Sequence, residues 1–440
     1  MTQKHLTEQY CDLTRIVVVG GGVAGVEIAT ELGRRRNRRG NRYAVTLLDA
    51  DSAHIWKPML HMIAAGTRDV YQQQIAYAAQ ARSAGFNYQP GAMCGLDRAR
   101  KEIEVASLTH PDGRVLLGAR RLSYDVLILA VGSRANDFST PGVKERCFTI
   151  DSRIEADHFN REMRIRILQS AADKTDLSVA IVGGGATGVE LAAELVQLAE
   201  AADSYGAVGT SSRIKLSLLE AGERLLAAFP EDISGAVCRR LEQLGVDVRL
   251  GAQVSVAEDG GFRLKDGKLV AAMLKVWAAG VKASDFLHEL DGLETTRSNQ
   301  LVVTPSLQTT RDPSIFAVGD CASLKLPGME RPLPPTAQLA HQQAKHLVDH
   351  LPDWLEGKPV PAFAYHDFGS LVSLAQYDGY ASLGKFGLFR GGSIKGRLAQ
   401  LSHALLYRGH QARIHGFWRG GLVWLVDRLN GRLRPSIRLD

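Results

Sequence analysis

Apolar runs of five or six residues, each stopped by glycine or by an acid, recur along the chain and predict buried parallel strands. Arg15-Ile16-Val17-Val18-Val19 and Ser178-Val179-Ala180-Ile181-Val182 each lead directly into a glycine cluster and then into an alanine-rich helical stretch. Tyr43-Ala44-Val45-Thr46-Leu47-Leu48 ends in Asp49, and Ile214-Lys215-Leu216-Ser217-Leu218-Leu219 ends in Glu220. Residues 124–132 read as a buried strand ending in the small-residue turn Ala130-Val131-Gly132, 276–281 as a strand closing on Ala279-Gly280, and 314–322 as one carrying Gly319-Asp320. Between them the pattern predicts a charged helix and linker over 151–176, a helix after Pro230, a short strand over 246–250, an antiparallel meander near 254–275 and a helix over 336–351. Strands that alternate with helices in this way predict an α/β fold with two Rossmann-like dinucleotide-binding domains.

The glycines carry the first chemistry. Gly20-Gly21-Gly22-Val23-Ala24-Gly25 and Gly183-Gly184-Gly185-Ala186-Thr187-Gly188 are two copies of one loop. In a strand, loop, helix context Gly20 and Gly183 make the tight turn, and Gly22 and Gly185 let the backbone approach a pyrophosphate. Gly25 and Gly188 then pack the helix against the strand and aim its N-terminal dipole at the phosphates. One such loop is a weak signal; two copies in this context predict two bound dinucleotides. Asp49 and Glu220 are expected to accept ribose hydroxyls, although both lie further on than the usual ~20 residues. Polar insertions over 34–41 and 203–213 explain the excess. A carboxylate at Glu220 repels a 2′-phosphate, so NADH is expected over NADPH, with Arg213 and Arg224 as opposing cations. His54 to Leu60, including Lys57, is expected as a loop against a bound ring system. Asp320 suits a polyol chain, whose hydroxyls a carboxylate accepts strongly, or else caps a following helix.

Composition changes this picture in two places. With 440 residues and 45% hydrophobic content the chain supports two or three domains with real cores. The five cysteines Cys11, Cys94, Cys147, Cys238 and Cys321 form no CxxC or CxxxxC pair, which argues against a dithiol centre, a metal site or an iron–sulfur cluster. Residues 1–14 lack a signal-peptide core. No segment reaches the about 20 apolar residues of a spanning helix. Charge is concentrated at the end: residues 385–440 hold eleven Lys or Arg against Asp427 and Asp440, a net +9 that leaves −3 for the rest of a chain of net charge +6. With Phe386, Phe389, Tyr407, Phe417, Trp418 and Trp424, and the short apolar stretches 398–406 and 422–429, this segment reads as amphipathic helices lying on an anionic membrane surface. A dimer interface is the alternative use of those apolar stripes. The Arg34-Arg35-Arg36-Asn37-Arg38-Arg39 run reads as a solvated helix end, and nucleic acid is not expected because no recognition motif accompanies the charge.

Ala130-Val131-Gly132, Trp277-Ala278-Ala279-Gly280 and Val318-Gly319-Asp320, in this order around the duplicated loops, make the chain resemble the two-dinucleotide-binding-domain flavoproteins. Within that group it resembles the type II NADH:quinone oxidoreductases from about Thr14 to the C-terminus. The most specific block is Pro335-Thr336-Ala337-Gln338-Leu339-Ala340-His341-Gln342, which looks like that family's AQxAHQ signature beside the flavin ring. The resemblance implies FAD on residues 14–150 and 296–365, NADH on an inserted domain over 151–295, and a membrane-associating region over 366–440. It implies that Gln338 and Gln342 flank the flavin and the quinone, that Ala337 and Ala340 are small enough to admit the ring, and that Glu190 is the acid near the nicotinamide. His341 is a candidate for proton delivery. Gln338 and Gln342 share a helical face, whereas His341 falls off it and reads equally as a packed or capping histidine.

Relatives of the same fold that reduce disulfides carry CxxxxC in the first helix, and residues 26–34 hold no cysteine. Sulfide:quinone oxidoreductases need a cysteine pair, and Cys147 and Cys321 read instead as structural. The expectation is a peripheral membrane flavoenzyme, homodimeric, on the cytoplasmic face of the inner (plasma) membrane. It passes hydride from NADH to FAD and two electrons to a quinone without pumping protons or using a metal. The alternatives are a soluble NADH:acceptor reductase feeding a small redox protein and a redox-sensing flavoprotein scaffold.

Overall fold

The structure is a computed structural model that describes residues 13–39, 43–69, 74–110, 112–204, 207–384 and 392–433. Cys11, Lys385, Phe386, Phe389, Arg390, Arg434, Arg438 and Asp440 lie outside the described residues. So do the side chains of residues 36–39, Arg397, Leu398, Phe417, Arg428 and Arg432.

The apolar runs form strands and the alanine-rich stretches form helices. In chain order these are β1 (Thr14–Val19), α1 (Val23–Arg39), β2 (Tyr43–Asp49), α2 (Leu60–Ala64), β3 (Asn87–Pro90) and β4 (Val126–Leu129). Next come α3 (Arg153–Asp173), β5 (Leu177–Val182), α4 (Ala186–Ser204), β6 (Ile214–Leu219), α5 (Glu231–Gln243), β7 (Asp247–Arg249) and β8 (Leu274–Trp277). They are followed by β9 (Ile315–Ala317), α6 (Ala337–Leu355), β10 (Gly369–Leu374), β11 (Asp378–Leu383), β12 (Gly392–Lys395), α7 (Arg397–His415) and α8 (Phe417–Leu433).

The chain divides into two units. The first takes Met1–Trp56, Gln74–Arg134 and Lys282–Tyr365. Its sheet is parallel, in the order β9-β4-β1-β2-β3. Val18, fully buried, pairs with Leu47 on one side and Ile128 on the other. Branched apolar residues on both faces are what a parallel sheet covered by helices requires. Leu127 pairs with Ile315, so a segment far along the chain joins the same sheet. Three adjacent strands therefore end, at their carboxyl ends, in Gly20, in Ala130-Val131-Gly132 and in Gly319-Asp320, which is where open α/β sheets bind ligands.

The second unit takes Lys57–Gln73, Ala135–Val281 and His366–Asp440. Its parallel sheet runs β7-β6-β5-β8, with Ile181 between Leu218 and Val276. The carboxyl ends here carry Gly183, Glu220 and Ala278-Ala279-Gly280. The meander is present as Val254–Glu258, Gly261–Leu264 and Leu269–Ala271, paired antiparallel. A second antiparallel sheet, β10-β11-β12, precedes the two last helices.

Two local expectations change. Residues 34–39 form the end of α1, as expected, but its first two arginines are paired: Arg34 with Glu31 at 2.6 Å, Arg35 with Asp349 and the Val348 carbonyl, both at 2.6 Å. The solvated helix end is thus, at Arg34 and Arg35, an ion-paired one. In the second insertion the Asp203 carboxylate, at the end of α4, accepts the Thr210 amide at 2.6 Å. Residues 54–60 are not an open loop: Lys57–Met59 form a 3-10 turn that starts α2.

Candidate dinucleotide and redox sites

The two glycine loops have the same geometry, and each glycine has a separate task. Gly20 has φ +96° and Gly183 +115°, and a Cβ on either would stand 2.4 or 2.5 Å from the carbonyl oxygen of Ala130 or Ala278. A Cβ at Gly25 would lie 1.8 Å from the Gly20 carbonyl, and one at Gly188 2.0 Å from the Gly183 carbonyl, so helix and strand touch at backbone distance. A Cβ at Gly22 or Gly185 would meet no atom of the described residues within 4 Å beyond its chain neighbours. Each loop is therefore closed at its first and third glycine and open at its second, at the N-terminus of a long helix.

The strand-end acids brace these loops. Asp49 Oδ2 accepts the Gly21 amide at 2.5 Å and Oδ1 the Asp51 amide at 2.7 Å. Glu220 Oε2 accepts the Gly184 amide and Oε1 the Gly222 amide, both at 2.6 Å. Burial pushes the Asp49 carboxyl up from its ordinary value, opposed by the two amides. Each carboxylate oxygen keeps a second lone pair for a hydroxyl.

Around the late Gly-Asp of the first unit, Ser133 donates to Asp320 Oδ2 at 2.7 Å and Gln300 to the Asp320 carbonyl at 2.9 Å. Asp320 lies inside the short Gly319–Cys321 turn, whose N-cap is Val318. Gly132 and Gly319 both have φ +71°, with open space beside Gly132 and only Ala340 Cβ, at 3.5 Å, beside Gly319. The Gly319 amide donates to Gln343 Oε1 at 2.6 Å, while the buried Gln343 Nε2 has no partner among the described residues.

α6 starts at Ala337, capped by the Thr336 hydroxyl, and Gln338 Nε2 donates to Tyr365 Oη at 2.7 Å. Gln342 follows one turn later, partly exposed. His341 Nδ1 lies 2.5 Å from Oε2 of Glu27, whose side chain is 6% exposed. The histidine thus faces Glu27 of α1.

In the second unit, Gly280 has φ +70° and accepts the Asn136 amide at 3.1 Å, and Trp277 donates to the Asn136 carbonyl at 2.8 Å. Lys57 Nζ stands 3.7 Å from Asp151. Glu190, in the second turn of α4, is buried. Its Oε1 accepts the Ser373 amide at 2.9 Å and its Oε2 is 3.4 Å from His61 Nδ1. Burial raises its carboxyl to about 8, with the Ser373 amide opposing and Glu194 adding to the rise. Glu194, one turn on, is raised to about 7 by burial, opposed by the Thr67 hydroxyl at 2.5 Å and by Arg68.

Sequence reasoning missed Glu27, His61, Glu194 and Gln343. The repeat held a signal for one of them: Glu27 follows Gly25 by two residues, as Glu190 follows Gly188. Burial pushes the Cys147 thiol up to about 12 and Cys321 up to about 11, so neither is a thiolate at neutral pH. Among the described residues no cluster of three His, Cys, Asp or Glu is placed to hold a metal ion.

The pyridine nucleotide-disulphide oxidoreductase family profile matches residues 14–344. The chain is 41% identical to a type II NADH:quinone oxidoreductase of Haemophilus influenzae, across 97% of this chain and all of that protein. It is 28% identical to one of Staphylococcus saprophyticus, across 88% and 92%. In three dimensions it superposes on NDH2 of Plasmodium falciparum, solved in complex with NADH, with a TM-score of 0.79 at 20% identity, covering 97% of this chain and all of that one. A whole-length relative above 40% identity, the matched profile and the duplicated loops agree, and the chain belongs to the type II NADH:quinone oxidoreductase family.

Proposed function

We propose that this chain oxidises NADH and reduces a quinone by way of FAD, working at a membrane surface without moving charge across it. The observation that carries this reading is the pair of loops, open at Gly22 and Gly185 and closed at their first and third glycines, in a chain that also has the 337–342 block. FAD, when bound, accepts a hydride from the nicotinamide and gives two electrons to the quinone.

The residues of the first unit fit the flavin nucleotide. The space above Gly22, the amides at the start of α1 and the helix dipole suit its pyrophosphate. Asp49 suits the ribose, and Asp320 suits the ribityl hydroxyls. Ala130 and Gly132 bring backbone close to the cofactor, and the Nε2 of Gln343, unpartnered among the described residues, is an unused donor beside Gly319. The second unit offers NADH the same arrangement through Gly183, Gly185, Gly188 and Glu220, with Ala279 and Gly280 at the neighbouring strand end. We assign FAD to residues 14–150 and 296–365 and NADH to 151–295, with Lys57 a further cofactor contact. Ala337, Gln338 and Gln342 are assigned to the flavin and quinone, and Glu190 to the nicotinamide side. Reduction of a quinone by NADH takes up one proton, and Glu190, neutral in its buried setting, is assigned the task of holding one.

Glu220 sets the nucleotide preference. Its carboxylate stands where a 2′-phosphate would be placed, and juxtaposed like charges cost several kcal/mol before screening. Glu220→Arg is expected to move the NADH:NADPH ratio of kcat/KM toward NADPH by about 10-fold or more on that basis. It also removes both backbone hydrogen bonds that the acid makes, so KM for both nucleotides should rise. An unchanged ratio contradicts the assignment.

Gln338→Trp is expected to slow quinone reduction by reduced enzyme on the order of 10-fold more than flavin reduction by NADH, the loss of a hydrogen bond and of quinone space together. Equal slowing of the two half-reactions removes Gln338 from the quinone site.

Membrane attachment is assigned to α7 and α8. Among the described residues no helix is long and apolar enough to cross a membrane. On α8, however, Trp418, Leu422, Leu425, Val426 and Leu429 are all exposed, at i, i+4, i+7, i+8 and i+11, which is one face of a helix. Leu405 and Leu406 on α7 are exposed as well. An apolar stripe flanked by Arg413 and Arg419 suits the headgroup boundary of an anionic membrane on its cytoplasmic side. A homodimer that leaves this face open is part of the same proposal.

A further inference from the structure

We propose that His61 is a positioning residue for the reaction, holding Glu190 and exchanging a proton with it as a buried acid–imidazole couple. This deepens the placement of Glu190 beside the nicotinamide and rests on it.

Both side chains are nearly out of solvent, His61 at 4% and Glu190 at 9% exposed, with Nδ1 3.4 Å from Oε2. They come from α2 and α4, within one unit. The other carboxyl oxygen of Glu190 is fixed by the Ser373 amide near the end of β10. The carboxyl is thus clamped between a donor that never leaves and a ring nitrogen that can donate or accept. Moving the proton from Glu190 Oε2 to His61 Nδ1 breaks one O–H bond and forms one N–H bond. A neutral acid and imidazole become carboxylate and imidazolium, and the net charge of the couple is unchanged. Charge conservation is what a buried pair requires, because an uncompensated ion there is strongly disfavoured.

The neighbours are placed to tune this exchange. Glu194 lies one turn along α4, held by Thr67 and acted on by Arg68, both from the segment that follows α2. When Glu194 is ionised it opposes the carboxylate form of Glu190. Further along α4, Glu200 accepts the Tyr377 hydroxyl at 2.6 Å. The first unit repeats the arrangement at the equivalent position, with Glu27 two residues past its third glycine and His341 Nδ1 2.5 Å away. An acid paired to a histidine on the helix behind each loop is therefore a duplicated feature of this chain.

The test is the pH profile of kcat for the FAD-loaded full-length enzyme with NADH and a short-chain, water-soluble quinone. With Glu190 acting from its protonated form, activity falls as pH rises through its pKa. His61→Gln cannot take the proton and leaves burial of Glu190 less opposed, so the alkaline limb is expected to move up by about one pH unit. His61→Asn, a smaller amide, serves if the glutamine variant does not fold. Glu194→Gln removes the repelling neighbour and is expected to move the same limb down. A histidine that serves only packing would lower the rate evenly across pH, and an unshifted limb in His61→Gln or His61→Asn overturns the inference. Glu190→Gln separates the two layers. Loss of the limb in Glu190→Gln with no shift in the His61 variants rejects the His61 couple alone, and a wild-type limb in Glu190→Gln rejects the placement of Glu190 and the couple with it.

Discussion

Valine in place of Gly185 is expected to abolish reduction of the flavin by NADH while leaving the flavin bound and the protein folded. A Cβ at this position meets no atom of the described residues within 4 Å beyond its chain neighbours, so the substitution disturbs no packing among them. What the branched side chain fills is the space over the N-terminus of α4, where the NADH pyrophosphate is assigned. Two or three charge-assisted hydrogen bonds of about 1.5–3 kcal/mol each are lost, enough for a drop in kcat/KM of ~100-fold or more. Gly188→Val, three residues on, should fail differently. Its Cβ would stand 2.0 Å from the Gly183 carbonyl oxygen, so the helix must move off the strand and the second unit loses stability. Thermal unfolding with flavin absorbance distinguishes the two outcomes: unchanged Tm and full flavin content for Gly185→Val, lowered Tm for Gly188→Val. NADH reduction at wild-type rate in Gly185→Val would remove the loop from the nucleotide site.

Serine at Trp418, Leu422 and Leu425 together is expected to release the protein from anionic vesicles with little effect on its fold. These side chains are exposed, Trp418 at 83% and Leu422 at 64%, so they contribute little to the core. Burying three large apolar groups at a lipid boundary is worth about 1.5–3 kcal/mol each, and their loss reduces partition by ~1,000-fold or more. Co-sedimentation with phosphatidylglycerol-containing liposomes reads this directly. Retained binding would place the membrane contact elsewhere, and a fall in molecular mass without loss of binding would assign the stripe to a dimer interface instead.

The two nucleotide folds were legible in the sequence because their signals are local: an apolar strand, three glycines at fixed spacing and a small-residue helix follow one another without a break. The direction of the strand-end acids was legible too, since Asp49 and Glu220 close apolar runs. Their bracing of the loop amides was not, because it depends on a parallel register between β1 and β2, and between β5 and β6, that no local pattern encodes. The same holds for His61 and Glu190, brought together by packing of α2 near α4 across more than a hundred residues. Glu27 could have been found by laying one copy of the loop on the other. The arginine run was misjudged at Arg34 and Arg35 because their partners, Glu31 on the same helix and Asp349 on α6, are set by helix register and tertiary packing. Lys57 was read on a loop because its short apolar flanks carry no period, whereas a 3-10 turn and helix begin there.

The central claim is a two-step transfer, and anaerobic stopped-flow absorbance of the FAD-loaded enzyme tests it most directly. On mixing with NADH the oxidised flavin band should bleach, and on then mixing with a short-chain quinone it should recover at a rate at least equal to steady-state turnover. Bleaching without recovery would contradict the quinone assignment, and no bleaching would contradict the assignment of NADH and FAD to the two units.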